Sequence, residues 1–148
     1  MGLRQGLPCT KTGSPRYTGA FSCVTIRLVP PTVVVVDDHA GFRRAARTLL
    51  ELEGFDVVGE AADGASAVAV ARDVRPELVL LDIALPDASG FDLAPALSTG
   101  RSRVILTSSR EHGDIGRRVR ESGALGFVPK DELSGETLRA LLGKRCKS

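Results

Sequence analysis

The sequence has 148 residues, 43% hydrophobic and 26% charged, with a formal net charge of +2, the profile of one ordinary globular domain with room for a core. Residues 1–31 contain Arg4, Lys11, Arg16 and Arg27 and no acid, so the rest of the chain carries the balance of −2 and offers no basic face to nucleic acid or an anionic membrane. Trp is absent and Tyr17 is the single tyrosine, which excludes an aromatic platform for single strands, and the apolar runs are too short to span a bilayer.

Cys9, Cys23 and Cys146 are odd in number and match no zinc or redox spacing, as expected of free thiols in a reducing cytoplasm. Residues 1–31, rich in Gly, Ser, Thr and Pro, read as a basic, disordered extension closed by Pro30 and Pro31. A single domain is expected over 32–142, followed by a short tail over 143–148.

From Thr32 the pattern becomes regular. "TVVVV" is a buried strand, too short and too β-branched for a helix. In "FRRAARTLLELEG", Phe42, Ala45, Ala46, Leu49 and Leu50 share one helical face, and Gly54 stands where a left-handed residue ends a helix. "DVVGEA" (56–61) is a second strand, and Asp63 caps a helix with Ala67, Val70, Ala71 and Val74 on its inner face. "ELVLLD" (77–82) is a third strand and "IALPDASG" a loop. "FDLAPALS" is a short helix, with Pro95 expected near its first turn. "RVILTS" (103–108) is a fourth strand, "DIGRRVRES" a polar helix and "GFVPK" (126–130) a fifth strand. Ser134 caps a last helix bearing Leu138, Leu141 and Leu142. Alternating strands and helices, with strands apolar on both faces, predict an α/β fold: a doubly wound, five-stranded parallel sheet of flavodoxin-like order 2-1-3-4-5.

In such a fold ligands bind beyond the carboxyl ends of the strands. Strand 1 ends in Asp37 and Asp38, strand 3 in Asp82, strand 4 in Thr107 and Ser108, and strand 5 in Lys130. Each residue alone is an ordinary turn or surface residue; their convergence at one end of the sheet is not. Two unit charges about 5 Å apart cost roughly 3 kcal/mol at an effective dielectric of about 20. A divalent cation removes that cost, and oxygen ligands select a hard ion, Mg²⁺. Asp82 is placed to act as a nucleophile toward phosphorus, with Lys130 and the Thr107 hydroxyl neutralising and binding phosphoryl oxygens.

"VVVVDDHAGFR", "LVLLDIALPDASGFDL", "VILTSS" and "GALGFVPK" together closely resemble the receiver domain of two-component response regulators, in motif style those attached to LuxR-type helix-turn-helix domains. The resemblance covers residues 32–142. It implies that Asp82 accepts a phosphoryl group from a histidine kinase. It also implies that Asp38, Asp82 and the Ala84 carbonyl ligate Mg²⁺ directly while Asp37 acts mainly through water. Thr107 and Phe127 become a switch that alters a surface read by a downstream protein or a second copy. Such a protein is cytoplasmic and turns over nothing but its own phosphoryl group. Three departures stand out: Pro129 precedes Lys130, and the positions two past the acceptor and two past Thr107 are Ala84 and Ser109. Small groups there leave the acyl phosphate open to water, so a short-lived phosphoryl form is expected.

The 18 residues after Lys130 leave no room for an output domain, so this chain is not expected to touch DNA unless it is the receiver fragment of a longer regulator. A receiver-like scaffold that is never phosphorylated is the non-catalytic rival, which the intact Asp82, acid pair, Thr107 and Lys130 oppose. A haloacid-dehalogenase-type phosphatase would need Asp-x-Asp on strand 1, where the acids are adjacent and Ala40 stands two past Asp38. A dinucleotide fold would need a Gly-x-Gly-x-x-Gly that does not follow strand 1. His39 and His112 receive no role.

Overall fold

The computed structural model describes residues 29–109 and 113–144. His112, the three cysteines, residues 1–28 of the basic extension and the end of the tail lie outside the described residues. The elements are β1 (Thr32–Val36), α1 (Ala40–Leu52), β2 (Asp56–Ala61), α2 (Gly64–Val74), β3 (Leu78–Asp82), α3 (Gly90–Leu97), β4 (Arg103–Ser108), α4 (Ile115–Ser122), β5 (Gly126–Pro129) and α5 (Gly135–Lys144). All strand pairs are parallel and the order is β2-β1-β3-β4-β5, the topology expected of the alternating pattern.

The strands are apolar on both faces because each face is covered. Val33, Val35, Leu78, Leu80, Ile105 and Val128 pack with Ala46 and Leu50 of α1 and Leu138 of α5. Val34, Val36, Val79, Leu81, Val104 and Leu106 pack with Ala67 of α2, Phe91, Ala94 and Leu97 of α3 and Val119 of α4. Val33 to Val36 are at most 1% exposed, and each such side chain contributes about 1.5–3 kcal/mol of transfer free energy. The period of two in the strands therefore sorts side chains between two helical layers rather than between core and solvent.

Local signals set the ends. Gly54 follows α1 with φ +92°, a conformation that costs glycine little. Asp63 accepts from the Ser66 N–H as the N-cap of α2, and Ser134 accepts from the Thr137 N–H at the start of α5. A second cap is supplied from afar. Asp87, in the β3–α3 loop, accepts from the N–H groups of Gly64 and Ala65, so α2 has its first donors satisfied by two acids. The Gly64 bond above all holds the Asp87 carboxyl below its ordinary pKa.

Two expectations need correction. Lys130 is not in the fifth strand: β5 stops at Pro129, and Lys130 opens a short 3-10 turn to Glu132 closed by the Leu133 N–H on the Lys130 carbonyl. Proline has no N–H to continue a ladder, so pairing ends there. Pro95 is not in the first turn of α3 but sixth of its eight residues. It lies on the exposed side of the helix, which ends two residues later at Leu97.

Candidate functional site

The site is built from the carboxyl ends of β1, β3 and β4 and the turn after β5. Parallel pairing sets β1 and β4 on either side of β3, with Asp82 directly opposite Thr107. Asp37 continues from β1, its N–H bonded to the Ala61 carbonyl. Asp37, Asp82 and Thr107 are 0%, 3% and 1% exposed. Burying two acids this deeply is costly unless they are paired, and Lys130 supplies the charge. Its Nζ lies 2.5 Å from Asp37 Oδ2 and 3.5 Å from Asp82 Oδ2. The first contact is a close ion pair without hydrogen-bond alignment, so Asp37 Oδ2 accepts no hydrogen bond. The same ammonium lies 4.7 Å from the centre of the Phe42 ring, so α1 walls the site and adds a cation–π attraction.

Asp82 Oδ1 accepts from the Ala84 N–H at 3.3 Å. Burial pushes the Asp82 carboxyl above its ordinary pKa and the charge of Asp37 adds to this, while the Ala84 N–H and Lys130 pull the other way. Across the strand the Thr107 hydroxyl is buried with no hydrogen-bond partner. An orphaned hydroxyl beside a carboxylate is a cost that a ligand oxygen would remove. Ala84 and Ser109 are exposed, so the approach past both is open to water.

Asp38 is 36% exposed by side chain. Its carboxylate, that of Asp37 and the His39 imidazole bring one donor atom each within 4.8 Å of one another. Phe127 is half-buried against the α2–α3–α4 layer. It pairs with Leu106 in register while Thr107 pairs with Val128, so the two residues of the expected switch lie on opposite faces of the sheet. A cavity of about 860 Å³ lined in part by Arg72, Arg75 and Arg101 lies at the other end of the sheet, before β4 begins. It takes no part in this constellation.

Sequence reasoning passed over three contributors. Arg43 donates to the Asp37 carbonyl at 2.6 Å and to Glu60 at 3.2 Å, and Arg47 donates to Glu60 at 2.7 Å. Helical periodicity marked both arginines only as an outer face. His39 lies against both acids of β1, and adjacency was its only signal. The Arg47 hydrogen bond chiefly holds the Glu60 carboxyl below its ordinary value, against a burial that raises it. A depressed acid lends stability above its unfolded pKa and loses it as the pH falls. Below about pH 4.5 the wild type is therefore expected to lose stability more steeply than Glu60→Gln, by up to about 1 kcal/mol, read from urea melts across the acid range. Parallel curves for the two proteins would refute the contribution.

The family model described as the response regulator receiver domain matches residues 33–142. The transcription regulator BvgA of Bordetella pertussis is 39% identical over 110 residues, 73% of this chain and 53% of BvgA. The chain spans about half the length of the curated relatives it matches. Among solved structures, the signal receiver domain of NarL from Mycobacterium tuberculosis is 35% identical with a TM-score of 0.70, covering 78% of this chain and 95% of that one. A CheY of Borrelia burgdorferi, solved with CheX, BeF₃ and Mg²⁺, shares the fold with a TM-score of 0.68 at 24% identity, over 77% of this chain and 87% of that one.

Proposed function

This chain belongs to the response regulator receiver domain family, and from that premise we propose that Asp82 takes a phosphoryl group from the phosphohistidine of a histidine kinase. One observation carries the reading: the buried Asp82 carboxylate faces a buried Thr107 hydroxyl that has no partner, with the Lys130 ammonium 3.5 Å away. One Asp82 oxygen attacks phosphorus as the P–N bond breaks and the imidazole leaves with its electron pair. The product is an acyl phosphate. Thr107 donates to a phosphoryl oxygen and Lys130 transfers its attraction from Asp82 to the phosphoryl group, so the step is driven by positioning and charge.

The donor set fits Mg²⁺. Asp37 offers a buried carboxylate whose Oδ2 is ion-paired to Lys130, Asp38 a half-exposed one, and both are hard ligands. Asp38, Asp82 and the Ala84 carbonyl would hold the ion, with Asp37 beside them; when bound it supplies charge neutralisation at the phosphoryl oxygens. Thr107 moving toward the new phosphoryl group and Phe127 turning inward would then alter a surface for a downstream protein or a second copy. In this reading the chain catalyses only the gain and loss of its own phosphoryl group. It works in the cytoplasm, as the family resemblance implies. The relatives are transcription regulators about twice as long as the shared stretch, and DNA is read by no residue of the receiver in this proposal.

Intact-mass analysis after incubation with acetyl phosphate tests it. One phosphoryl adduct is expected with Mg²⁺ and none with EDTA; no adduct on a chain shown to bind Mg²⁺, together with no beryllofluoride-induced shift at Thr107 and Phe127, overturns it. The exposed Ala84 also predicts rapid hydrolysis. Ala84→Lys, which places a long side chain over the water approach, is expected to lengthen the half-life of the acyl phosphate several-fold, followed by the same mass assay. A wild-type half-life longer than that of the variant would count against the open approach.

A further inference from the structure

We propose that the cavity at the amino end of the sheet binds a small organic phosphate, a monoester whose dianion is held by Arg72, Arg75 and Arg101 and whose body lies on Val68, Ala71 and Leu97. These six side chains line a space of about 860 Å³, within the range of small-molecule sites. It lies among the last turn of α2, the end of α3 and the turn leading into β4, and shares no residue with the acceptor constellation. Leu97 is buried, Val68 and Ala71 are half-buried and the three arginines are exposed, so an aliphatic floor is rimmed by cations. The walls are fixed by the backbone. The Arg75 N–H donates to the Ala71 carbonyl at 2.8 Å, and the Ser102 N–H donates to the Thr99 carbonyl at 2.9 Å, closing a turn around Arg101. The buried Ser102 hydroxyl donates to the Pro76 carbonyl at 2.5 Å, which stitches the chain after α3 to the chain after α2.

Charge selects the ligand. Among the described residues no carboxylate pairs with any of the three guanidiniums and no acid lines the cavity. Both α2 and α3 end here, and each helix C-terminus carries about half a negative charge, so part of the positive charge answers the helices. Two such ends offset about one cation of the three and leave about two, the charge of a phosphate monoester, whose oxygens guanidinium groups bind in pairs. Arg75 is a second sign. It is the C-cap of α2 and the one non-glycine among the described residues with positive φ, at +48°. Glycine would end the helix more cheaply; arginine brings a third cation to the cavity.

Calorimetry of the full chain with AMP, phenyl phosphate, inorganic phosphate and adenosine tests this, in EDTA so that no divalent ion draws phosphate to Asp82. AMP or phenyl phosphate is expected to bind about tenfold more tightly than inorganic phosphate, the gain from covering the aliphatic floor, and adenosine not measurably. Arg72→Gln and Arg101→Gln, both at exposed positions, are each expected to weaken the ester about tenfold. Arg75→Gly is expected to weaken it as much while raising Tm, because it relieves the left-handed backbone; an arginine that merely supported the helix would lower Tm when lost. Equal affinity for the esters and inorganic phosphate would reveal a bare patch of charge. Binding unchanged in the Gln variants would put the ligand elsewhere. Either result, or no binding of either ester, overturns the proposal and leaves the reading of Asp82 untouched.

Discussion

Replacing the acceptor by its amide, Asp82→Asn, is expected to abolish the phosphoryl adduct and at the same time to stabilise the fold. The adduct is lost because the amide oxygen is a poor nucleophile toward phosphorus. Stability rises because Asp82 is held in a setting hostile to its charge. Burial and the nearby Asp37 both raise its pKa, and the Ala84 N–H and a 3.5 Å contact with Lys130 offset only part of that. An acid whose folded pKa exceeds its unfolded one binds more protons in the native state. It therefore lowers stability at neutral pH, and the loss is relieved as the pH falls through the raised pKa. The amide has nothing to relieve, so its advantage of about 1 kcal/mol, a few degrees in Tm, should shrink in acid. A variant less stable than wild type at neutral pH would mean that the Lys130 contact outweighs the burial of the acid. An adduct persisting on the variant would move the acceptor elsewhere.

Gly90→Ala is expected to be the most damaging small substitution near the site. A Cβ at Gly90 would lie 2.6 Å from the Asp82 carbonyl oxygen and 2.8 Å from the Ile83 Cα. Both are backbone atoms that no rotamer change can move. The Gly90 N–H also donates to the Ile83 carbonyl at 2.7 Å, so the start of α3 is pressed against the end of β3. Making room must displace either α3 or the peptide that carries the acceptor. A loss of about 2–3 kcal/mol is expected, with phosphorylation slowed by as much as about 100-fold, since misplacement by an ångström costs that much. Gly41→Ala is the control. That glycine lies inside α1 with no atom within 4 Å of an added Cβ, and the change should stabilise by about 0.5–1 kcal/mol. If both variants melt together, contact with the strand is not what requires glycine at position 90.

Much of the fold was legible because its elements speak locally. The runs 56–61 and 103–108 are strands to the residue, and Asp63 and Ser134 cap the helices they precede. The convergence of Asp37, Asp82 and Thr107 followed from topology alone, since parallel order brings those strand ends together. The rest depended on contacts that no local pattern encodes. Asp87 reads as a loop acid until α2 is seen to begin against it, and Arg43 reads as a solvated face until its guanidinium reaches the Asp37 carbonyl. Lys130 was placed correctly in space but on the wrong element, because a Lys after a strand-like run carries no mark of the 3-10 turn it begins.

The ion pair between Lys130 and Asp37 also imposes an order of assembly. A ribosome delivers both acids of β1 and the acid of β3 long before it delivers the lysine. Until Lys130 arrives, the basic groups the chain itself offers beside Asp37 are Arg43, on its carbonyl, and His39, and neither reaches Oδ2. Docking of β5 with its following turn brings the missing charge and covers the open edge of β4 in one event. Extension of the sheet and neutralisation of Asp37 are thus one step, with α5 and its core residue Leu138 still to pack.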